Sequence, residues 1–117
     1  MTGQTGSDIR IDISVDGEAQ RVVLSGRLDA GTVGDVRLLL HDALSRGSGD
    51  LVVDLTDADV ADATGLGVLV GAHRRAERLD RHLVLAGVGP RLERLLRMTR
   101  LHRILRVEVP APRRATV

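Results

Sequence analysis

Apolar residues in "IRIDISV" (9–15) fall on every second position, the period of a β-strand with one covered face. "DG" at 16–17 leads into "AQRVVLSG" (19–26), so the two segments read as a hairpin. "RLDAGT" (27–32) reads as a loop. The spacing then changes: Val36, Leu39, Leu40, Ala43 and Leu44 share one helical face. Thr32 with Asp35 three residues on has the form of a capping box, which predicts a helix to about Arg46. After a turn at "RGSG" (46–49), "DLVVDL" (50–55) is a continuous apolar run, the pattern of a strand covered on both faces. The acidic stretch that follows reads as a loop. From Thr64 a second helix is expected to about Asp80, with Leu66, Leu69, Val70, His73, Ala76 and Leu79 on one side. "HLVLAG" (82–87) reads as a buried strand. "GP" at 89–90 opens a third helix with proline in its first turn, burying Leu92, Leu95 and Leu96. "ILRVEV" (104–109) gives a last strand before the proline-broken "PAPRRATV".

The order β-β-α-β-α-β-α-β predicts an α/β fold, a mixed sheet of about five strands with three or four helices packed mostly on it. A length of 117 residues suggests one domain, placed at 9–109 between a flexible N-terminus (1–8) and a flexible C-terminal tail (110–117). Composition adds exclusions. There is no aromatic residue, so the core must be aliphatic, and the rings on which single-stranded bases stack are missing. Without cysteine there is no disulfide, thiolate metal site or cysteine nucleophile. No run approaches the ~18 apolar residues of a membrane span, and the first residues lack a secretory pattern. The expectation is a cytoplasmic protein with no membrane insertion. Charge is unevenly placed: residues 1–62 hold 5 Arg and 12 acids, residues 63–117 hold 12 Arg and 4 acids. That polarity bears on partner choice.

Most candidate chemistry falls away on spacing. His41, His73, His82 and His102 form no metal-ligand pattern. Asp54, Asp57, Asp59 and Asp62 resemble a calcium loop, but Ala61 and Asp62 stand where that loop needs a ligand and a glycine. "TGLGVLVG" (64–71) lacks the ending of a phosphate loop, and its glycines read as places where a helix lies close to a strand. No serine sits in a nucleophile elbow. The arginine-heavy "RLERLLRMTR" (91–100) is interrupted by Glu93 in a chain of net charge +1, so no direct nucleic acid binding is expected. The expectations are therefore no catalytic residue, no metal, no cofactor and no enzyme. Thr64 remains, at the junction of the acidic and apolar stretches: a helix cap, or a site where charge is added and removed.

Three segments together resemble STAS domains, specifically the anti-sigma factor antagonists of bacterial partner switching. "SGRLDAGT" (25–32) is similar to that family's G-x-L-D followed by Thr or Ser. "LVVDLTDADVADATGLGVLV" (51–70) is similar to its strand, loop and D-S-S-G-L-G-x-L signature, and "PRLERLLRMTRLHRIL" (90–105) to its third helix. The resemblance implies that Thr64 is phosphorylated by an anti-sigma factor that is itself a Ser/Thr kinase of the GHKL type, and is restored by a phosphatase. It implies that the unmodified form binds the anti-sigma factor and frees a sigma factor, and that the phosphorylated form lets go. The implied partner-binding residues are Asp29, Thr32, Asp62, Ala63, Thr64, Gly65, Leu66 and Gly67. Thr64 stands where serine is usual, Ala63 replaces the preceding serine, Arg27 replaces a frequent Glu, and the proline-broken tail predicts no helix where the family usually has a C-terminal one. A cytoplasmic STAS accessory subunit of an ABC lipid transporter is the alternative implied by the same resemblance. The switch reading requires Thr64 to face outward.

Overall fold

The computed structural model describes residues 2–4, 9–16, 19–60 and 62–108. Strands β1 (Thr2–Gln4), β2 (Ile9–Asp16) and β3 (Ala19–Leu28) lead to helix α1 (Val33–Arg46). Strand β4 (Leu51–Val60), helix α2 (Ala63–Arg78), strand β5 (Leu83–Ala86), helix α3 (Pro90–Met98), a 3-10 turn (Leu101–Arg103) and strand β6 (Arg106–Val107) follow. The strands form one sheet in sequence order. β1, β2 and β3 pair antiparallel; β3, β4, β5 and β6 pair parallel. This is the expected mixed α/β sheet with three helices. It gains one short strand, Thr2–Gln4, from the stretch expected to be loose. The turn of the predicted hairpin (17–18) and the proline-rich tail lie outside the described residues.

Each parallel connection advances one position in the same direction. Right-handed crossovers then put the three helices on one face. The core agrees: Val22, Leu24, Leu51, Val53, Leu83 and Leu85 of the sheet cluster with Leu40 and Leu44 of α1, Leu66 and Leu69 of α2, and Leu96 of α3. The run at 50–55 predicts a strand covered on both faces; the structure covers only one. Leu51, Val53 and Leu55 are buried, while Val52 and Asp54 are half-buried on the far face. A polar Asp54 inside the apolar run is the sign that one face lacks a helix.

The acidic "loop" is also corrected. Residues 56–60 continue β4, because β3 runs on to Leu28 and offers its backbone as a partner. A register shift between Val23 and Ser25 resets the alternation, after which Gly26 faces Ala58 and Leu28 faces Val60. Ala58 and Val60 turn toward the core; Asp59 turns outward to Arg27 and Arg91 at 3.8 and 3.9 Å. The alternation was present in "TDADV", hidden by its aspartates.

Asp54 anchors the uncovered face. It accepts from the Thr56 hydroxyl (2.6 Å) and amide (2.9 Å), and from Arg21 (2.7 Å). Gly87, at φ +67°, lies against this cluster: a Cβ there would stand 2.7 Å from the Thr56 nitrogen and 2.8 Å from Asp54 Oδ1. Burial works to raise the Asp54 pKa, but the Thr56 and Arg21 hydrogen bonds and the Arg21 charge outweigh it and hold it below the usual value. A depressed carboxylate stabilises the fold above the unfolded pKa, and that contribution is lost as pH falls through the folded one. Asp54→Asn should therefore cost about 1 kcal/mol near neutrality, with half-exposed Arg21 keeping the figure modest. The gap from the parent should close in acid. Urea midpoints that differ equally near pH ~7 and ~3 would show that the Asp54 charge adds nothing.

Candidate functional site

The site is built where β3 and β4 end beside the starts of α1 and α2. Asp29 and Thr32 form the turn into α1. Asp29 Oδ1 accepts from the Gly31 amide at 2.9 Å, and its carbonyl accepts from Thr32 and Val33 at 3.1 and 2.9 Å. The Thr32 hydroxyl donates to the Arg27 carbonyl at 2.8 Å and accepts from the Asp29 amide at 3.0 Å. It makes no cap bond to α1, although Thr32 does occupy the N-cap position. The expected capping box with Asp35 is thus replaced by a hydroxyl that ties the turn to the end of β3. With Thr32 only 3% exposed, its role in this structure is to shape the turn.

At the start of α2 the cap is Asp62, not Thr64. Asp62 has an extended backbone, and its Oδ1 accepts from the amides of Thr64 (3.0 Å) and Gly65 (3.2 Å). That satisfies two free N–H groups and places negative charge at the positive helix end. Thr64 therefore sits in the second helical position, exposed, its hydroxyl without a hydrogen bond among the described residues. Gly65 explains the residue after it: a Cβ there would lie 2.8 Å from the Leu28 carbonyl and 3.1 Å from Val60 Cγ1. Only glycine lets α2 start this close to the end of β3. Leu66 then plugs into the core at 3% exposure.

The eight residues named from the sequence thus separate by position. Asp62, Ala63, Thr64 and Gly67 face solvent, and Asp29 is half-exposed. Thr32, Gly65 and Leu66 are buried and hold the others in place. The close helix–strand approach expected of the glycines holds for Gly65 alone. At Gly67 and Gly71 a Cβ would meet nothing within 4 Å.

That empty space belongs to a groove of about 630 Å³ between α1 and α2. Thr64 is at one end; Arg37, His41, Arg74 and Arg78 line the rest. Sequence reasoning missed these four. Their signal was the i, i+4 spacing of 37/41 and 74/78 on two helices. His41 Nε2 and Arg75 Nε are buried without hydrogen-bond partners among the described residues. Burial first, then Arg75 and Arg37, push the His41 pKa down.

Residues 10–111 match the STAS domain family. The chain belongs to that family. This STAS domain is 29% identical over 100 residues to the anti-sigma-B factor antagonist of Staphylococcus aureus, spanning 86% of this chain and 93% of that one. The fold is similar to an anti-sigma factor antagonist from Mycobacterium paratuberculosis (TM-score 0.77, 18% identity, 87% of this chain and 86% of that chain). It is also similar to the phosphorylated form of the Bacillus cell fate determinant SpoIIAA (TM-score 0.64, 19% identity, 85% and 91%). None of the described helices of this STAS domain is long and apolar enough to cross a membrane.

Proposed function

We propose that this STAS domain is a cytoplasmic, non-enzymatic anti-sigma factor antagonist. In this reading it binds a kinase-type anti-sigma factor when unmodified, releases a sigma factor by doing so, and lets go when Thr64 is phosphorylated. A phosphatase resets it. The observation that carries the reading is the Thr64 hydroxyl, exposed and unengaged beside a carboxylate cap that already fixes the helix start. A kinase can reach such a hydroxyl without first breaking a bond in the domain. The likeness to proteins named as anti-sigma factor antagonists supports the same reading.

The test is incubation with kinase-type anti-sigma factors and ATP, followed by mass spectrometry of residues 61–71. A gain of about 80 Da, the phosphoryl group, is expected on the parent and not on Thr64→Ala. Thr64→Ala should still bind the anti-sigma factor and should resist release. Binding without any modification of Thr64 sinks the switch. Co-purification with a membrane ATPase in place of a kinase would favour the transporter-subunit alternative.

A further inference from the structure

The α1/α2 groove joins features that the fold itself does not use. Gly34, Gly67 and Gly71 lie inside helices, where glycine is the poorest residue short of proline. A Cβ at any of the three would meet nothing within 4 Å, so packing inside this chain does not require them. What they do is keep the channel wall at backbone level. Val33 and Val68 lie among its lining, the first partly buried and the second buried. Along the channel stand Arg37, Arg74 and Arg78, all exposed, and the charge of Arg75 is felt at His41, which also lines it. None of the four arginines makes an ion pair among the described residues. Among the described residues no Asp or Glu lines the groove.

The contrast with α3 is informative. Of its three arginines, Arg91 pairs with Asp59 and Arg97 with Glu93, and only Arg94 makes no ion pair among the described residues. Among the described residues the positive charge of the groove is unpaired, and His41, which lines it, has a buried Nε2 without a hydrogen-bond partner there. From Thr64 to Arg78 the channel runs along about 20 Å of helix, a length suited to a few turns of peptide.

We propose that the α1/α2 groove is a docking channel for an acidic segment of the partner protein, with Thr64 at its mouth. The proposal rests on the antagonist reading above and adds the chemistry of the surface that is recognised. Gly34, Gly67 and Gly71 give the segment backbone-level access, and Arg37, Arg74 and Arg78 meet its carboxylates. A phosphate on Thr64 brings up to two negative charges to the mouth of the same channel, where they repel the segment's carboxylates as they enter.

The probe is a deca-glutamate peptide titrated into isotope-labelled protein at low salt, with deca-lysine as control. Amide shifts should appear at Gly34, Gly67 and Gly71. Arg74→Ala/Arg78→Ala should weaken binding by up to about fivefold for each arginine removed, the upper end for exposed pairs. Binding should vanish near ~1 M salt, where the screening length is about 3 Å. Gly67→Ala/Gly71→Ala should also weaken binding, with a melting temperature equal to or above the parent's, which separates docking from folding. Shifts confined to the α3 arginines, or none at all, overturn the groove. The partner assay keeps the two readings apart. If deca-glutamate binds the groove but no kinase modifies Thr64, the antagonist reading fails and the groove stands. If Thr64 is phosphorylated while Arg74→Ala/Arg78→Ala binds the anti-sigma factor like the parent, the groove fails alone.

Discussion

Phosphate on Thr64 should weaken association with the docking partner by about two to four orders of magnitude. A charge of −2 placed ~6 Å from one partner carboxylate costs about 5 kcal/mol at an effective dielectric of ~20. Screening at physiological salt, with a Debye length of about 8 Å, removes roughly half of that. Moving a two-state equilibrium from 99:1 to 1:99 needs about 5.5 kcal/mol, so one phosphate supplies roughly half of a full switch after screening and nearly all of it where the interface excludes salt. Thr64→Glu adds one charge and should produce about half the energetic effect. Titration calorimetry of the parent, the phosphorylated form and Thr64→Glu reads this series directly. An affinity unchanged by the phosphate would place Thr64 outside the interface, and complete loss with Thr64→Glu would mean bulk, not charge, blocks docking. The domain should stay folded, but not because the phosphate finds an empty helix end. Asp62 already takes the Thr64 and Gly65 amides. The phosphate must share that end with a carboxylate, so the modified protein should melt slightly below the parent.

Arg81→Met should be the most damaging single substitution for the fold, at about 3 to 5 kcal/mol. Arg81 is 5% exposed. It donates to the carbonyls of Leu44 (2.8 Å), Gly49 (2.8 Å), Ser48 (3.0 Å) and Ala43 (3.3 Å), and to Gln20 Oε1 (2.7 Å). One guanidinium thus closes the carbonyl end of α1, fixes the turn into β4 and holds the buried Gln20 of β3. Among the described residues no carboxylate pairs with it. Burial pushes its pKa down and Asp50 pulls the other way, and a guanidinium stays charged in either case. Methionine fills similar volume but leaves five acceptors without this donor, each costing about 1 to 3 kcal/mol where buried. Domain stabilities are about 5–15 kcal/mol, so the variant should be close to unfolding at growth temperature. A urea midpoint within ~1 kcal/mol of the parent would mean water replaces the guanidinium at no cost.

Nothing in "LDRHLVL" marks Arg81 out, since its acceptors lie 32 to 61 residues away in sequence. A side chain whose partners come from two other elements leaves no periodic trace. The same holds for the length of β4. Its acidic half became strand because β3 extends far enough to pair with it, a fact about a different segment. The cap of α2 moved from Thr64 to Asp62 for a subtler reason. Both residues can cap, and only the extended backbone at Asp62 aims its oxygen at the two amides.

The element order, the α1 face of Val36, Leu40, Ala43 and Leu44, and the Thr64-Gly65-Leu66-Gly67 motif were determined by the sequence alone, because they rest on spacing within one turn or one strand. Tertiary structure decided which motif residues reach solvent. It buried Thr32, Gly65 and Leu66 and left Thr64 and Gly67 outside. It also decided that Arg37, Arg74 and Arg78, on two helices, share one open channel. Spacing along a helix fixes which residues share its face; only the packing of a second helix beside it fixes what that face encounters.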